Sequence, residues 1–260
     1  MGAFTFTLPP LSEQRDIASV LGALDDKIES NRQLGSVLAD AISAIFRHRV
    51  LEHASDGWTS GDLTSIAGFV NGRAFTKDAN GQGRPILRIK ELNSGLSDAT
   101  LYSDVEANND NIAHHHDLLF AWSGSLDLYR WHGPESLINQ HIFKVLPLDG
   151  FPAWFVAGWV REYMPEFQRI AKDKATTMGH IKREHLTQAS VKIPPRPPLC
   201  ELDAALSPID AQIGALAAET ITLTALRDAL LPKVISGEIR VPHTAEPDDV
   251  TGQAREGIAA

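Results

Sequence analysis

Residues 17–45, IASVLGALDDKIESNRQLGSVLADAISAI, place an apolar or small side chain at alternating steps of four and three: Ile17, Leu21, Leu24, Ile28, Asn31, Gly35, Leu38, Ile42 and Ile45. A helix with that spacing carries one seam along its length, the pattern by which helices pair in a coiled coil. Asn31 and Gly35 interrupt the seam in consecutive core positions, which weakens packing there but can fix register or admit a close neighbour. With Ser12 as the expected N-cap behind Pro9 and Pro10, the helix predicted from Ser12 to Arg49 is on the order of 55 Å long. Such a rod is too long to be buried in one small core.

The same spacing returns near the other end, at Leu202, Leu206, Ile209, Ile213, Leu216, Thr220, Leu223, Arg227 and Leu230. Ser207 and Pro208, with Asp210 in the first turn, predict the start of this second helix, preceded by a short turn from Leu199 to Leu206. The likeness extends backwards: Phe4-Thr-Phe-Thr-Leu-Pro-Pro-Leu-Ser-Glu parallels Val191-Lys-Ile-Pro-Pro-Arg-Pro-Pro-Leu-Cys-Glu, each reading as alternating strand, prolines and helix. The chain thus holds an internal repeat at a separation of roughly 185 residues.

Between the helices the signals are mixed α/β: strand-like runs at Ile86 to Ile89, Asp117 to Trp122 and His141 to Leu146, and helical texture from Pro152 to Ile170. Turns are marked by Asn71-Gly72, Asn80-Gly81, Ser94-Gly95 and Ser123-Gly124. The expected plan is a helix over 12–56, a compact α/β (α+β) domain over 57–195, a second helix over 196–241 and a disordered tail over 242–260.

Composition narrows the function. The 260 residues, 43% hydrophobic and 22% charged, suffice for a sizeable core, and one cysteine excludes an intramolecular disulfide framework and a multi-cysteine zinc site. No stretch reaches the roughly 20 apolar residues that span a bilayer, and the start lacks the pattern of a signal peptide, so a cytoplasmic protein without membrane partners is expected. The net charge of -9 argues against non-specific coating of nucleic acid. Residues 161–196 reverse the sign locally, with Arg161, Arg169, Lys172, Lys174, Lys182, Arg183, Lys192 and Arg196 against four acids.

Catalytic constellations are missing. Gly81-Gln-Gly83 lacks the remaining glycine and lysine of a nucleotide loop and reads as a turn. The run His114-His115-His116 points its rings to different faces with no second ligand cluster apparent, so a polar turn is preferred to a metal site. Cys200 lies in a proline-rich linker without a specified base.

Several runs are familiar in this order: Leu8-Pro-Pro-Leu-Ser-Glu-Gln-Arg15 with Leu24-Asp-Asp-Lys-Ile-Glu-Ser-Asn31, Asp117-Leu-Leu-Phe-Ala-Trp-Ser-Gly124, Asn139-Gln-His-Ile-Phe-Lys144, Thr177-Met-Gly-His-Ile181, and Leu226-Arg-Asp-Ala-Leu-Leu-Pro-Lys-Val-Ile-Ser-Gly-Glu-Ile-Arg-Val241. From Leu8 to Val241 the chain resembles the specificity subunit of type I restriction-modification systems. The resemblance implies target-recognition domains that each read half of a split site in double-stranded DNA, joined by helices that pair as an antiparallel coiled coil. It also implies partner modification and restriction subunits that carry methylation and cleavage, so that S-adenosylmethionine, ATP and Mg belong to them and this chain needs no cofactor, metal or catalytic residue. The sequence departs from the family plan in one respect: residues 1–11 read as the last strand of a first recognition domain, so a half-length form with only the second domain is expected.

In that role phosphate contacts would supply affinity and polar side chains at base edges would supply sequence choice. The expected DNA-binding residues are Lys172, Lys174, Thr176, Thr177, His180, Lys182 and Arg183, with Arg73, Lys77, Arg84 and Arg88 as a second group. Trp122, Trp131, Asn139 and His141 are expected to pack in the core. Helix pairing is assigned to Ile17, Leu21, Leu24, Ile28, Leu38, Ile42 and Ile45 against Leu206, Ile209, Ile213, Leu216, Leu223 and Leu230. Two arrangements stay open: pairing within the chain, with the outer faces docking modification subunits, or pairing between two copies or with an upstream specificity fragment, which would restore the second reader. The competing reading is a fragment that binds modification subunits without its own specific DNA site.

Overall fold

The computed structural model describes residues 10–54, 57–173 and 179–240. The strand expected around Phe4 and Phe6, three of the expected DNA contacts (Lys174, Thr176 and Thr177) and the expected tail lie outside the described residues. The chain forms two compact units, one comprising Arg32–Ala218 and the other Met1–Asn31 with Glu219–Ala260.

Helix α1 (Leu11–Phe46) continues into a π-helical turn (Arg47–Glu52). It opens one residue before Ser12, because the Pro10 carbonyl already accepts the first bond from the Gln14 amide at 3.0 Å; Ser12 therefore sits inside the first turn and is not the cap. The last helix, α6 (Arg196–Ile235), begins well before the start that Ser207 and Pro208 predict. Ser207 and Pro208 lie within it, and the expected turn from Leu199 to Leu206 is helical. Pro197 and Pro198 occupy its first turn, where a missing N–H costs nothing. The bond lost at Pro208 is outweighed by packing before it, since Leu199, Leu202 and Leu206 are all buried in the core. Ser207 Oγ donates to the Asp203 carboxylate, which also accepts from Trp154 Nε1 at 2.9 Å.

In the unit containing the chain ends, the described parts of α1 and α6 run antiparallel, as the descending partners show: Asp25 with Arg227 at 2.9 Å, then Asn31 Nδ2 donating to Glu219 at 2.8 Å. Ile28 and Asn31 are buried there, while Ile17, Leu21, Leu24, Leu223 and Leu230 are half-buried. Asn31 thus satisfies its amide by reaching the acid at Glu219, which Lys27 approaches at 3.6 Å.

The other unit holds the mixed α/β domain. After β1 (Thr59–Asp62) and the one-turn α2 (Leu63–Ile66) come β2 (Ala67–Asn71), a 3-10 turn (Phe75–Asp78), β3 (Arg84–Leu87), α3 (Ile89–Ser94) and β4 (Tyr102–Ser103). A second 3-10 turn (Asn109–Asn111) leads to β5 (Ile112–Ala113), β6 (Leu118–Ala121), β7 (Asp127–Arg130), β8 (Ser136–Ile138) and β9 (Ile142–Pro147). Helix α4 (Ala153–Asp173), α5 (Arg183–Gln188) and β10 (Ser190–Ile193) complete the domain. One sheet is antiparallel in the order β2-β9-β6-β7, a second runs β4-β3-β8-β5 with β3 and β8 parallel, and β1 pairs with β10 as a two-stranded ribbon. The strand-like runs at Asp117 to Trp122 and His141 to Leu146 and the helix expected between Pro152 and Ile170 fall on β6, β9 and α4, whereas the run from Ile86 to Ile89 leaves β3 after Leu87 and enters α3 at Ile89.

The larger core lies between the first sheet and α4. Phe69, Phe120 and Phe143 from the strands meet Trp154, Phe155, Trp159, Met164 and Phe167 from the helix, each buried side chain contributing about 1.5–3 kcal/mol. Phe46, at the end of α1, seats edge-on to Trp159 at 5.6 Å between centroids. Only glycine at 158 leaves room for it, since a Cβ there would stand 2.5 Å from the Phe46 ring. Of the residues assigned to helix pairing, Ile42 and Leu206 belong to this core and Ile45, Ile209 and Ile213 pack against it; Leu216 is buried and Leu38 half-buried.

The buried Lys144 fastens the two sheets together. Lys144 Nζ, on β9, donates to Asp117 Oδ2 at 2.8 Å, to the Ile112 carbonyl at 2.8 Å and to the Asn109 carbonyl at 3.3 Å. Asp117 in turn accepts the His114 amide at 2.7 Å. The histidine run forms the turn entering β6, as expected, but it has company: His132, after β7, packs against it. Burial pushes the His132 imidazole down to about 4, so the ring is neutral at pH 7.

Candidate nucleic-acid interface

Four chain segments meet at one edge of the antiparallel sheet: the end of β2 (Asn71 to Arg73), the end of β6 (Trp122 to Gly124), the β8–β9 connection (Asn139 to His141) and the stretch from Gly179 to Arg183. Backbone bonds hold them in register. Gly72 N–H donates to the Ile142 carbonyl at 2.9 Å, Arg73 to Ile138 at 3.0 Å, Trp122 to His141 at 3.2 Å, Ile181 to Trp122 at 3.1 Å and Gly124 to Gly179 at 3.0 Å. Gly72 permits the closest approach, because a Cβ there would lie 2.2 Å from the Asn139 carbonyl oxygen.

Trp122 sits at the centre of this edge. Its ring lies 5.4 Å from His141, 5.7 Å from Phe143 and 6.3 Å from His180, and its Nε1 donates to Asn71 Oδ1 at 2.9 Å. Trp122 and His141 are half-buried, whereas Trp131 and Asn139 are buried; core packing, expected for all four, describes the last two. The difference follows from position: Trp131 is enclosed by the second sheet and donates its Nε1 to Pro134, while Trp122 caps the end of a strand. Three polar atoms around the tryptophan are enclosed without a hydrogen-bond partner: Ser123 Oγ, Asn139 Oδ1 and His141 Nδ1.

Cations flank the tryptophan on two sides. Arg183 donates to the Phe69 carbonyl at 3.0 Å and lies over the Phe143 ring at 5.7 Å, and Lys182, exposed, stands 3.6 Å from Glu184. On the other side Arg73 lies over Phe75 at 5.3 Å and, with Asn71, Lys77 and Gln140, lines an open groove of about 450 Å³. The fold therefore brings His180, Lys182 and Arg183 together with Arg73 and Lys77, more than a hundred positions away in sequence.

Other expected contacts fall elsewhere. Lys172 lines a second open groove of about 460 Å³ with Asn93, Ser125, Tyr129 and Gln168. Arg84 stands 3.6 Å from Glu135. Arg88 is tied to Glu91: its Nη2 and Nε bond the carboxylate at 2.6 and 2.9 Å, and Glu91 also accepts the Arg88 amide at 3.1 Å. Burial alone would raise the Glu91 carboxyl, but the bonds from Arg88 outweigh it and hold the group below the usual carboxylate range. Asn71, Trp122, Gln140 and His141 are the members of the edge that sequence reasoning did not assign to DNA. Their signal was present, since Asn71 precedes a turn glycine and the other three lie in the motif runs.

No family model matches this chain. It is 22% identical, over 90% of its length and 60% of the relative's, to the type I restriction enzyme MjaIX specificity subunit of Methanocaldococcus jannaschii. Its fold is similar to the type I restriction-modification S subunit from M. genitalium, with a TM-score of 0.56 at 14% identity, covering 86% of this chain and 61% of that one. It is also similar to the HsdS subunit from Thermoanaerobacter tengcongensis, with a TM-score of 0.45 at 19% identity, covering 90% and 61%. The chain thus spans about three-fifths of the length of each of these relatives. The resemblance read from the motifs is borne out, and so is the plan of a mixed α/β domain flanked by long helices.

Proposed function

We propose that this chain, a relative of the specificity subunits of type I restriction-modification systems, reads one half of a split site in double-stranded DNA through the edge around Trp122. The observation that carries the reading is the gathering there, in an acidic chain, of Arg73, Lys77, Lys182 and Arg183 with Asn71, Gln140, His141 and His180. Cations of that kind bond phosphate oxygens and set orientation, while amides and imidazoles present donors and acceptors to base edges. Arg73 can present its fork to guanine and Gln140 its amide to adenine, the pairings whose geometry discriminates by about 1–3 kcal/mol. In this reading the helices dock modification and restriction subunits, which bring S-adenosylmethionine, ATP and Mg, and the chain itself performs no chemistry. A second reader of the same kind covers the other half of the site. The assembly acts in the cytoplasm; no described helix is long and apolar enough to cross a membrane.

Single-molecule mapping of methylated adenines in cells carrying this chain with its modification subunit tests the reading. A split motif that depends on the chain supports it, and Gln140→Ala should relax one position of that motif. Lys77→Gln should instead weaken binding to every sequence and lower the salt slope by about 1. A motif indifferent to both variants would move the reader elsewhere on the domain. Partner binding without any new motif would favour the fragment that has no specific site.

A further inference from the structure

Away from the Trp122 edge, three imidazoles converge. His115 and His116 enter β6, and His132 leaves its antiparallel neighbour β7; the register that pairs Leu118 with Arg130 sets His116 across from His132. The His116 amide donates to the Trp131 carbonyl at 2.7 Å, and its backbone turns through the left-handed region at φ 74° to do so. The three rings stand 4.9, 5.3 and 5.2 Å apart between centroids, inclined at 62° or more, and a ring nitrogen from each lies within 4.8 Å of the other two. The rings meet edge to face and are not stacked, so their nitrogens are not screened by a neighbouring ring face.

The available nitrogens can be assigned. His115 directs Nδ1 at the His132 carbonyl oxygen at 3.2 Å, which makes Nδ1 the donor and frees Nε2 to accept. His132 Nδ1 is enclosed and has no hydrogen-bond partner. His116 fits only because residue 214 of α6 is glycine, a Cβ there falling 1.4 Å from His116 Nε2. Arg130 Nη1 donates to His116 Nδ1 at 3.5 Å, which leaves the His116 Nε2 beside Gly214 as its ligand atom, and Asp210 balances the guanidinium at 3.0 Å.

We propose that His115, His116 and His132 bind one borderline transition-metal ion, with Zn²⁺ as the best-matched candidate, leaving its remaining coordination position to solvent. Imidazole suits Zn²⁺, Cu²⁺ and Ni²⁺ over Mg²⁺, and bonds of about 2.0–2.1 Å require the three nitrogens to close in by roughly 1 Å, a side-chain adjustment. The ion ties the entry of β6 to the exit of β7 beneath Gly214 of α6. It has no part in the chemistry of DNA reading.

The full chain, made without a histidine tag and stripped by chelator, is titrated calorimetrically with Zn²⁺ and, in parallel, with Mg²⁺. One Zn²⁺ per chain and no heat from Mg²⁺ are expected, with affinity falling at least about 10-fold in His115→Ala and in His132→Gln. His115 is exposed, so His115→Ala keeps the fold and decides the matter if His132→Gln does not. Among the described residues the exposed trio His48, Glu52 and His53 is the other cluster with ligand spacing, so a His48→Ala/His53→Ala double variant should bind as the parent does. Absence of Zn²⁺ binding, binding indifferent to His115→Ala, or binding lost in the His48/His53 variant would each overturn the proposal.

Discussion

Replacing Lys144 by methionine removes a buried ammonium and leaves behind the Asp117 carboxylate and two carbonyl groups. Breaking a buried pair from one side costs about 3–5 kcal/mol, because the remaining charge stays desolvated. Asp117 keeps the His114 amide and is 24% exposed, so some solvation is recovered and the lower end applies, about 3 kcal/mol. For a unit of this size each kcal/mol moves the melting temperature by roughly 2–4 °C, which predicts a fall of about 6–12 °C by calorimetry. Adding Asp117→Asn should recover part of the loss, with a coupling of about 1 kcal/mol or more between the two positions. Lys144 sits in one of the runs that carry the family resemblance, so a DNA contact is the rival explanation. That rival predicts an unchanged melting temperature and a salt slope lower by about 1. A Lys144→Met variant melting within 2 °C of the parent, or two additive changes, would refute the structural role.

Gly72→Ala would drive a Cβ to within 2.4 Å of two backbone carbonyl oxygens and should cost about 1–3 kcal/mol or prevent folding, whereas Gly68→Ala, with 3.8 Å to its neighbours, should melt close to the parent. Glu91 titrates below its ordinary range in the folded chain, so the stability it supplies is complete above about pH 4.3 and is lost as pH falls through its folded value. Arg88→Met removes the guanidinium bonds and charge but keeps the residue-88 amide on the carboxylate, so the acid-dependent loss should shrink; denaturant midpoints measured from pH 3.5 to 7 should show a shallower slope in the variant than in the parent. Asn31→Ala removes the buried bond to Glu219 and should lower helix stability by about 1 kcal/mol in a circular dichroism melt, while Ser30→Ala, on an exposed position, should not.

The long seams were legible because a period repeated over many turns leaves little ambiguity, and α4 because its apolar residues recur on one face. Where a single local signal competed with packing, the signal lost. Ser207-Pro208 is a good helix start in isolation, yet three buried leucines before it carry α6 straight through. Strands β4 and β5, of two residues each, are too short to show a period at all. The candidate edge was half legible. Its cations stood out by charge, but nothing local says that Arg183 and Arg73 flank one tryptophan, or that Arg88 is occupied by Glu91. His132 was missed for the same reason: its neighbours reach it through a strand pairing, and spacing along the chain does not report that.

The β1–β10 ribbon has a consequence of its own. Thr59 to Asp62 pair with Ser190 to Ile193, and Leu63 N–H then donates to the Ala189 carbonyl at 3.1 Å. Everything from Leu63 to Ala189 is thus an excursion that returns to its point of departure. A foreign segment with ends as close together could be grafted onto the same four-residue clasp while Phe46, Leu202 and Leu206 were retained as its docking pegs. On the proposed function, exchange of such cassettes would change what is read without rebuilding the scaffold that presents it.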